Sequence, residues 1–499
     1  MRKNIISVIF LPALICSSLR DSDVEYKMFV MNVLASNSHR GAMGIVLAVN
    51  PCCKANLNGF RPRLVVRTVI AFFALIFVVG SVTCTEPAKS PGPDGFDGAQ
   101  VWRVSFKDAA GQKAFDDMKK QLSAQVFRRT KSNVDILVGA SNLNKAKEPL
   151  ASSKMDYKVL TNDFGKSMKA ENPKMTAEEE GQYQSKQRKH KLTFNHFHDV
   201  KDIHGYMDYL AENYKAFVKV ESIGQTFEKR EMKLLTITND QSAPWFWIDA
   251  GFHAREWIAP TTALYIMREL VERKANLSAA LKKLNYYIIP LINLDGYEYT
   301  RSSDRLWRKN RRPGPKGLKE KCFGVDLNRN FEMQWAFGGD EGSSSDPCDE
   351  TYRGTKPNSE AETQAIIKFL SKKLSQLKAM VSFHTYSQLI LYSYGYKTGE
   401  FPPNKKDLER VGMVAKNKIM SLTGKNYTVQ GTAALYPAAG ISIDWATKMG
   451  VPFVYCMEMR DEGQGGFILP ASEIIGAGQD GFELIKAIAD AIGKPQSRL

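Results

Sequence analysis

From Leu192 onward, short apolar runs alternate with stretches of amphipathic spacing. Runs bounded by turn residues predict buried strands at Leu234–Thr238, Trp245–Asp249, Asn285–Pro290, Ala379–Phe383 and Pro452–Cys456. Apolar positions recurring every three or four residues predict helices at Tyr206–Phe217, Pro260–Val271, Asn358–Leu377, Lys405–Leu422 and Phe482–Ile492. Pro260 suits the first turn of its helix, where a missing N–H leaves no hydrogen bond unmade. The alternation predicts an α/β fold: a twisted, mixed parallel and antiparallel sheet covered by helices.

A second unit precedes it. Val101–Phe106, Val134–Ala140 and Tyr157–Asp163 have strand patterns, and Ala109–Gln125 and Leu143–Ser153 have helical ones, which predicts a small α+β domain over residues 100–172. Residues 173–191 are highly polar and end in SKQRKHK. This basic run reads either as a solvated linker or as a connector cut by a trypsin-like protease. Residues 85–99 carry the Pro/Gly linker SPGPDGFDG. Residues 61–84 read as a signal peptide or signal anchor, with Arg61, Arg63 and Arg67 ahead of the apolar Val69–Cys84. Either form places the rest of the chain outside the cell, as a secreted protein or one tethered through residues 68–83. Residues 1–60 begin with a further signal-like stretch and otherwise resemble no domain.

Composition narrows the class without naming it. The 499 residues are 43% hydrophobic and 24% charged, an ordinary globular balance that argues against disorder and coiled coil. The net charge of +16 raises nucleic acid as a partner, but Lys and Arg are spread over the chain without an aromatic-interleaved stripe. No nucleic-acid partner is expected, and the chain is expected to be a monomer. Cys322 and Cys348 flank a loop rich in Gly, Ser and Asp, as for a disulfide in a secreted protein, while Cys456 reads as a buried free thiol. Asn276 and Asn426 open glycosylation sequons that matter only if the chain is secreted.

Chemistry gathers at GFHAREW, where His253 and Glu256 stand three apart just after the predicted strand Trp245–Asp249. An imidazole and a carboxylate so placed can share a Zn²⁺, which in hydrolytic sites takes three protein ligands and leaves one position open. Only two histidines follow His204, and the second, His384, also ends a strand-like run and offers the third ligand. The alternative is a pair of hydrogen-bonded core histidines.

Six motifs in order, HAREW, RLWRKNRR, GVDLNRNF, SFHTYSQ, LYPAAGISIDW and MEMRDEGQGGF, make residues from about 100 to 499 resemble the zinc metallocarboxypeptidases of the pancreatic A/B type. The resemblance implies His253, Glu256 and His384 as ligands of one Zn²⁺ and Asp326 as the carboxylate that orients His253. It also implies Glu458 as general base and Arg308 as the guanidinium that holds the oxyanion. Read without it, Glu458 is a salt-bridge partner of Arg460 and Arg308 a solvated cation. Asn328 and Arg329 match the pair that grips the substrate's terminal carboxylate. Tyr436 matches a mobile tyrosine over the bound residue, Arg255 and Arg305 accessory arginines, and Tyr386 an outer-subsite aromatic. Residues 100–172 then correspond to an activation domain, residues 173–191 to its cleavable connector and residues 192–499 to the catalytic domain.

By the same resemblance, Ile443 falls at the position that in this family lies at the base of the pocket for the substrate's terminal side chain. An apolar floor there implies an A-type enzyme, with a basic-residue B-type enzyme, a non-catalytic peptide-binding relative and a prohormone-processing carboxypeptidase as alternatives. The last lacks this type of propeptide and has an extra β-domain. Two departures leave aromatic against aliphatic preference open: Gly431 replaces an apolar residue, and Ile441 a glycine.

Overall fold

The computed structural model describes residues 93–122, 124–185, 189–315 and 322–493, together with the backbone of 5–7, 32–36 and 44–48. The chain divides into two compact units, residues 1–84 and 85–499. In the first, β1 (Ile5–Ser7), β2 (Asn32–Ser36) and β3 (Gly44–Ala48) form an antiparallel sheet in the order β1-β2-β3. The signal segment expected at 61–84 lies outside the described residues. Among those described, no helix is long and apolar enough to cross a membrane.

The second unit begins with the small domain. Here β4 (Gln100–Ser105), β5 (Gln125–Arg129), β6 (Asn133–Val138) and β7 (Asp156–Thr161) form an antiparallel sheet in the order β5-β6-β4-β7. The helices Ala109–Leu122 and Leu143–Ser152 close a core around Trp102, Phe115 and Ile136. The helix Phe164–Glu171 follows β7, its first turn capped by Asp163 accepting from the Lys166 amide. The connector carries a helix of its own, Ala177–Gln184. Thr176 and Glu179 form a reciprocal capping box that satisfies two N-terminal donors, so this stretch is not the structureless linker its polarity suggests.

The large sheet contains β8 (Val218–Gln225), β9 (Glu231–Ile237), β10 (Trp245–Ala250), β11 (Asn285–Ile289), β12 (Leu377–His384), β13 (Leu389–Tyr392), β14 (Thr428–Gly431) and β15 (Phe453–Glu458). Their order is β14-β13-β15-β12-β10-β11-β9-β8. The central strands β11, β10, β12 and β15 are parallel, whereas β8, β9 and β13 pair antiparallel. All six residues of β10 are buried, the signature of a strand covered on both faces. The helices Ile258–Val271, Lys405–Thr423 and Ile474–Ile492 pack on the sheet and on one another. The last begins eight residues before the predicted start, because GAGQDG dilutes an apolar stripe that packing nevertheless buries.

Candidate active site

The site grows from the carboxyl ends of the parallel strands. Ala250 ends β10 opposite Phe383 of β12, and Gly251 then turns the chain at φ +71°. A β-carbon at Gly251 would meet Leu291 Cδ1 at 2.6 Å, so only glycine fits this turn. The turn delivers His253 and Glu256 ahead of the helix Ile258–Val271, beside His384 at the end of β12. All three side chains are buried. His253 Nδ1 lies 2.8 Å from Glu256 Oε1, and His384 Nδ1 lies 3.1 Å from both His253 Nδ1 and Glu256 Oε2.

Two imidazole nitrogens and a carboxylate facing one point are what zinc asks for. Donors about 2.0–2.1 Å from a tetrahedral zinc lie roughly 3.3 Å from one another, close to the spacing here. Among the described residues this is the group of histidines and acids that can hold a metal. The far ring nitrogens are anchored as well. His253 Nε2 is 3.2 Å from Asp326 Oδ1, and His384 Nε2 is 3.2 Å from Ser382 Oγ, which in turn donates to Asp249 at 2.5 Å. Such contacts fix the tautomer that leaves Nδ1 free for a cation.

Electrostatics fit the same reading. Burial and then the nearby Arg308 lower His253, which keeps it a neutral donor. Burial opposes ionisation of Glu256, but the two imidazoles override it and hold the carboxylate low. Asp326 is likewise held well below its usual range despite burial, chiefly by Arg308. Arg308 donates to Asp326 Oδ2 through Nε at 3.0 Å and Nη2 at 2.8 Å, and its Nη1 is 4.0 Å from Glu256. The guanidinium, 11% exposed, therefore stands beside the His253–Glu256–His384 cluster and is not a solvated cation.

Glu458 ends β15 in register with His384. Burial, with Glu256 adding in the same direction, raises its carboxyl to about 7. Arg460 pairs instead with Asp480 and Glu473, so the salt bridge that spacing alone suggests for Glu458 does not form. Asn328 Nδ2 is 3.3 Å from His384 Nε2, and its Oδ1 accepts from the Ser442 amide at 2.9 Å. Arg329 Nη2 donates to the Tyr436 hydroxyl at 3.5 Å. Ile443, 2% exposed, lies one residue beyond the tie to Asn328.

The small domain touches two of the remaining expected residues, Tyr386 and Arg305. Tyr386 donates to Asp135 Oδ2 at 2.7 Å, and the same carboxylate accepts from Arg103. Arg305 donates through Nε to Glu171 at 2.7 Å and forms a second hydrogen bond to it through Nη2, in a buried pair. Arg255 pairs with Glu350 through two 3.0 Å bonds and stacks on Phe467. Burial raises both Glu458 and Tyr386, and Arg128 of β5 is close enough for its charge to oppose that rise without reversing it. Sequence reasoning missed Asp135, Glu171 and Arg128, which meet residues of the large domain more than a hundred positions away. Asp249 could have been flagged, as a carboxylate inside an apolar run. Cys322 and Cys348 form a disulfide, and Cys456 is free and buried.

Comparison with known proteins agrees with this chemistry. Residues 203–484 match the family described as zinc carboxypeptidase, and residues 102–171 match the carboxypeptidase activation peptide. Carboxypeptidase A4 of Mus musculus is 34% identical over 412 residues, covering 80% of this chain and 95% of the relative. Carboxypeptidase B of Homo sapiens is 33% identical over 427 residues, covering 82% and 97%. Among solved structures, thrombin activatable fibrinolysis inhibitor superposes with a TM-score of 0.71 at 28% identity, covering 80% of this chain and all of the other. The carboxypeptidase A of Helicoverpa armigera gives 0.68 at 27% identity, covering 80% and 99%. With a His-Glu-His cluster that can hold a metal at the carboxyl edge of a mixed sheet and an activation peptide ahead of it, the chain belongs to the zinc carboxypeptidase family.

Proposed function

We propose that this enzyme is secreted as a zymogen and, once cut, removes apolar or aromatic residues from the C-termini of peptides and proteins. Ile443 is the observation that carries the preference: a buried aliphatic side chain stands next to the residue that ties the loop to Asn328. A lysine or arginine side chain brought there would lose its hydration without gaining a partner. The neighbouring Asp444 does not supply one, because its carboxylate accepts from the Gly395 and Tyr396 amides.

In the proposed mechanism, His253, Glu256 and His384 would hold a zinc ion, which when bound would supply Lewis-acid chemistry for the scissile carbonyl and for water. Asn328 and Arg329 bind the terminal carboxylate, for which a planar guanidinium is suited. Tyr436, already hydrogen-bonded to Arg329, closes over the bound residue and excludes water. Arg308 donates to the oxyanion as it develops. Glu458 takes the proton from the attacking water and delivers it to the leaving amine, and a carboxyl raised toward neutrality suits both halves of that task. Arg255, Arg305 and Tyr386 contact residues upstream of the scissile bond. A non-catalytic role is disfavoured because the ligands, the base and the oxyanion arginine are all present.

Two expected outcomes test this reading. In a matched peptide series differing only in the last residue, terminal Lys and Arg are at least about a hundredfold poorer in kcat/KM than Leu or Phe. Ile443→Asp reverses part of that gap. Efficient release of terminal Arg by the unmutated enzyme would exclude the A-type assignment.

The second outcome concerns latency. The uncut chain is much less active than protein cut by trypsin between residues 188 and 191, because Asp135 and Glu171 occupy Tyr386 and Arg305. Glu171→Ala strands one half of a buried ion pair worth about 3 kcal/mol. The activity of the uncut variant therefore rises at least about tenfold above that of the uncut parent, and equal rates for cut and uncut parent protein would refute latency. Secretion would be supported by sugar at Asn276 or Asn426, both of which are exposed.

A further inference from the structure

We propose that the outer face of the helix Lys405–Thr423 is a docking surface for an anionic lipid bilayer. It combines exposed apolar side chains with lysines on one element. Among the described residues, Phe401, Met413, Val414, Met420 and Leu422 make up half of the large hydrophobic side chains that are exposed. Such residues scattered singly over a surface need no explanation, but a cluster along one helix does.

The helix does not need these residues to fold. Leu408, Val411, Ala415 and Ile419 already form its buried side, and the helix packs on β13, β14 and the helix Ile474–Ile492. The outward ridge is a different set, Lys406, Arg410, Met413, Asn417 and Met420, all exposed and spaced four, three, four and three apart, so that they follow one line along the helix. Met413 and Met420 are 42% and 50% exposed, and Val414 lies beside them. Thioether side chains are flexible and polarisable, which suits the irregular boundary between lipid headgroups and acyl chains.

Charge selects the partner. Residues 401–426 hold six cations against two acids, a net of +4. Both acids are engaged within the helix: Glu409 lies 3.6 Å from Lys405, and Asp407 accepts from Arg410 at 2.9 Å. Lys406, Lys416, Lys418 and Lys425 make no ion pair among the described residues. A second copy of this face would meet like charge, and a purely polyanionic chain would leave the apolar side chains in water. An anionic bilayer satisfies both sets, its headgroups meeting the lysines and its boundary layer the methionines. The helix turns its inward side to the sheet that carries the active site, so docking on the outer face leaves His253, Glu256 and His384 uncovered.

The test sediments the full chain with vesicles of phosphatidylcholine alone or mixed with phosphatidylserine, after enzymatic removal of any sugar so that none at Asn426 stands beside the face. The expected affinity for the mixed vesicles is at least about tenfold above that for phosphatidylcholine alone, and it falls as salt rises. Lys406→Gln with Lys418→Gln weakens it at least about tenfold, since each lysine near an anionic surface contributes about fivefold. Met413→Ser with Met420→Ser weakens it at least about tenfold at unchanged net charge. Lys145→Gln with Lys147→Gln removes the same charge from two exposed positions of the small domain and leaves the affinity within about twofold. After trypsin activation, both helix variants keep the parent's kcat/KM toward a blocked dipeptide, which shows that they are folded. No preference for the mixed vesicles, an equal loss in the small-domain variant, or an affinity unmoved by the methionine substitutions overturns the proposal. Retention on heparin without retention on vesicles assigns the face to a polyanionic glycan, and dimerisation that the methionine substitutions abolish assigns it to a second copy; either result overturns the lipid assignment.

Discussion

Glu458→Gln lowers kcat by at least about a hundredfold while zinc stays at one per chain. The two halves of this expectation come from different parts of the geometry. Glu458 stands in register with His384, but its carboxylate is not among the three groups that converge on the metal position. Glutamine preserves the side chain's size and its place at the end of β15, so the ligand triad should be undisturbed. What is lost is a group able to accept a proton and return it. Burial raises that carboxyl to about 7, and the like charge of Glu256 adds to the effect, which makes it a better base than a free glutamate would be. The measurement is steady-state hydrolysis of a blocked dipeptide, with zinc counted by elemental analysis on the same preparation. A kcat within tenfold of the parent's removes Glu458 from the role of base. A parallel loss of zinc and activity would mean instead that the residue supports the metal.

How much of this could be read from the chain depends on the range of the interaction. His253, Glu256 and His384 were legible because each follows an apolar run, and a strand end with a chemically active residue is a local pattern. Strands β10, β11, β12 and β15 were legible for the same reason, being buried on both faces and so continuously apolar. The edge strand β8 was missed because VKVESIGQ carries charge on a half-exposed strand, and β13 and β14 because four residues are too few for a period. The connector helix was missed although Thr176 and Glu179 announce it by their spacing.

Pairings across the chain left no local trace. Glu171 with Arg305 and Asp135 with Tyr386 join residues 134 and 251 apart, and nothing in either neighbourhood calls for the other.

Removing the metal should be the most damaging change of all. Dialysis against a chelator is expected to abolish hydrolysis, and His253→Ala to lower kcat/KM by at least about a thousandfold, the scale of several kcal/mol of transition-state stabilisation. The loss in His253→Ala has two sources. It deletes one of the three groups that would hold the metal, and it leaves Asp326 without the imidazole it orients, with Arg308 and the Asn328 amide as its remaining donors. Asp326→Asn separates the two, because it keeps all three ligands but weakens the contact that aims His253. There the expected loss in zinc affinity is about ten- to a hundredfold, read from competition with a chelator, and excess zinc restores part of the activity. In the chelated parent protein, added Zn²⁺ should restore hydrolysis and raise the Tm together, since an ion bound by the folded state alone stabilises it in proportion to its occupancy. His253→Ala should show neither recovery at the same zinc concentration. Full activity in protein shown by elemental analysis to be free of metal would remove zinc, and with it the role given to this triad.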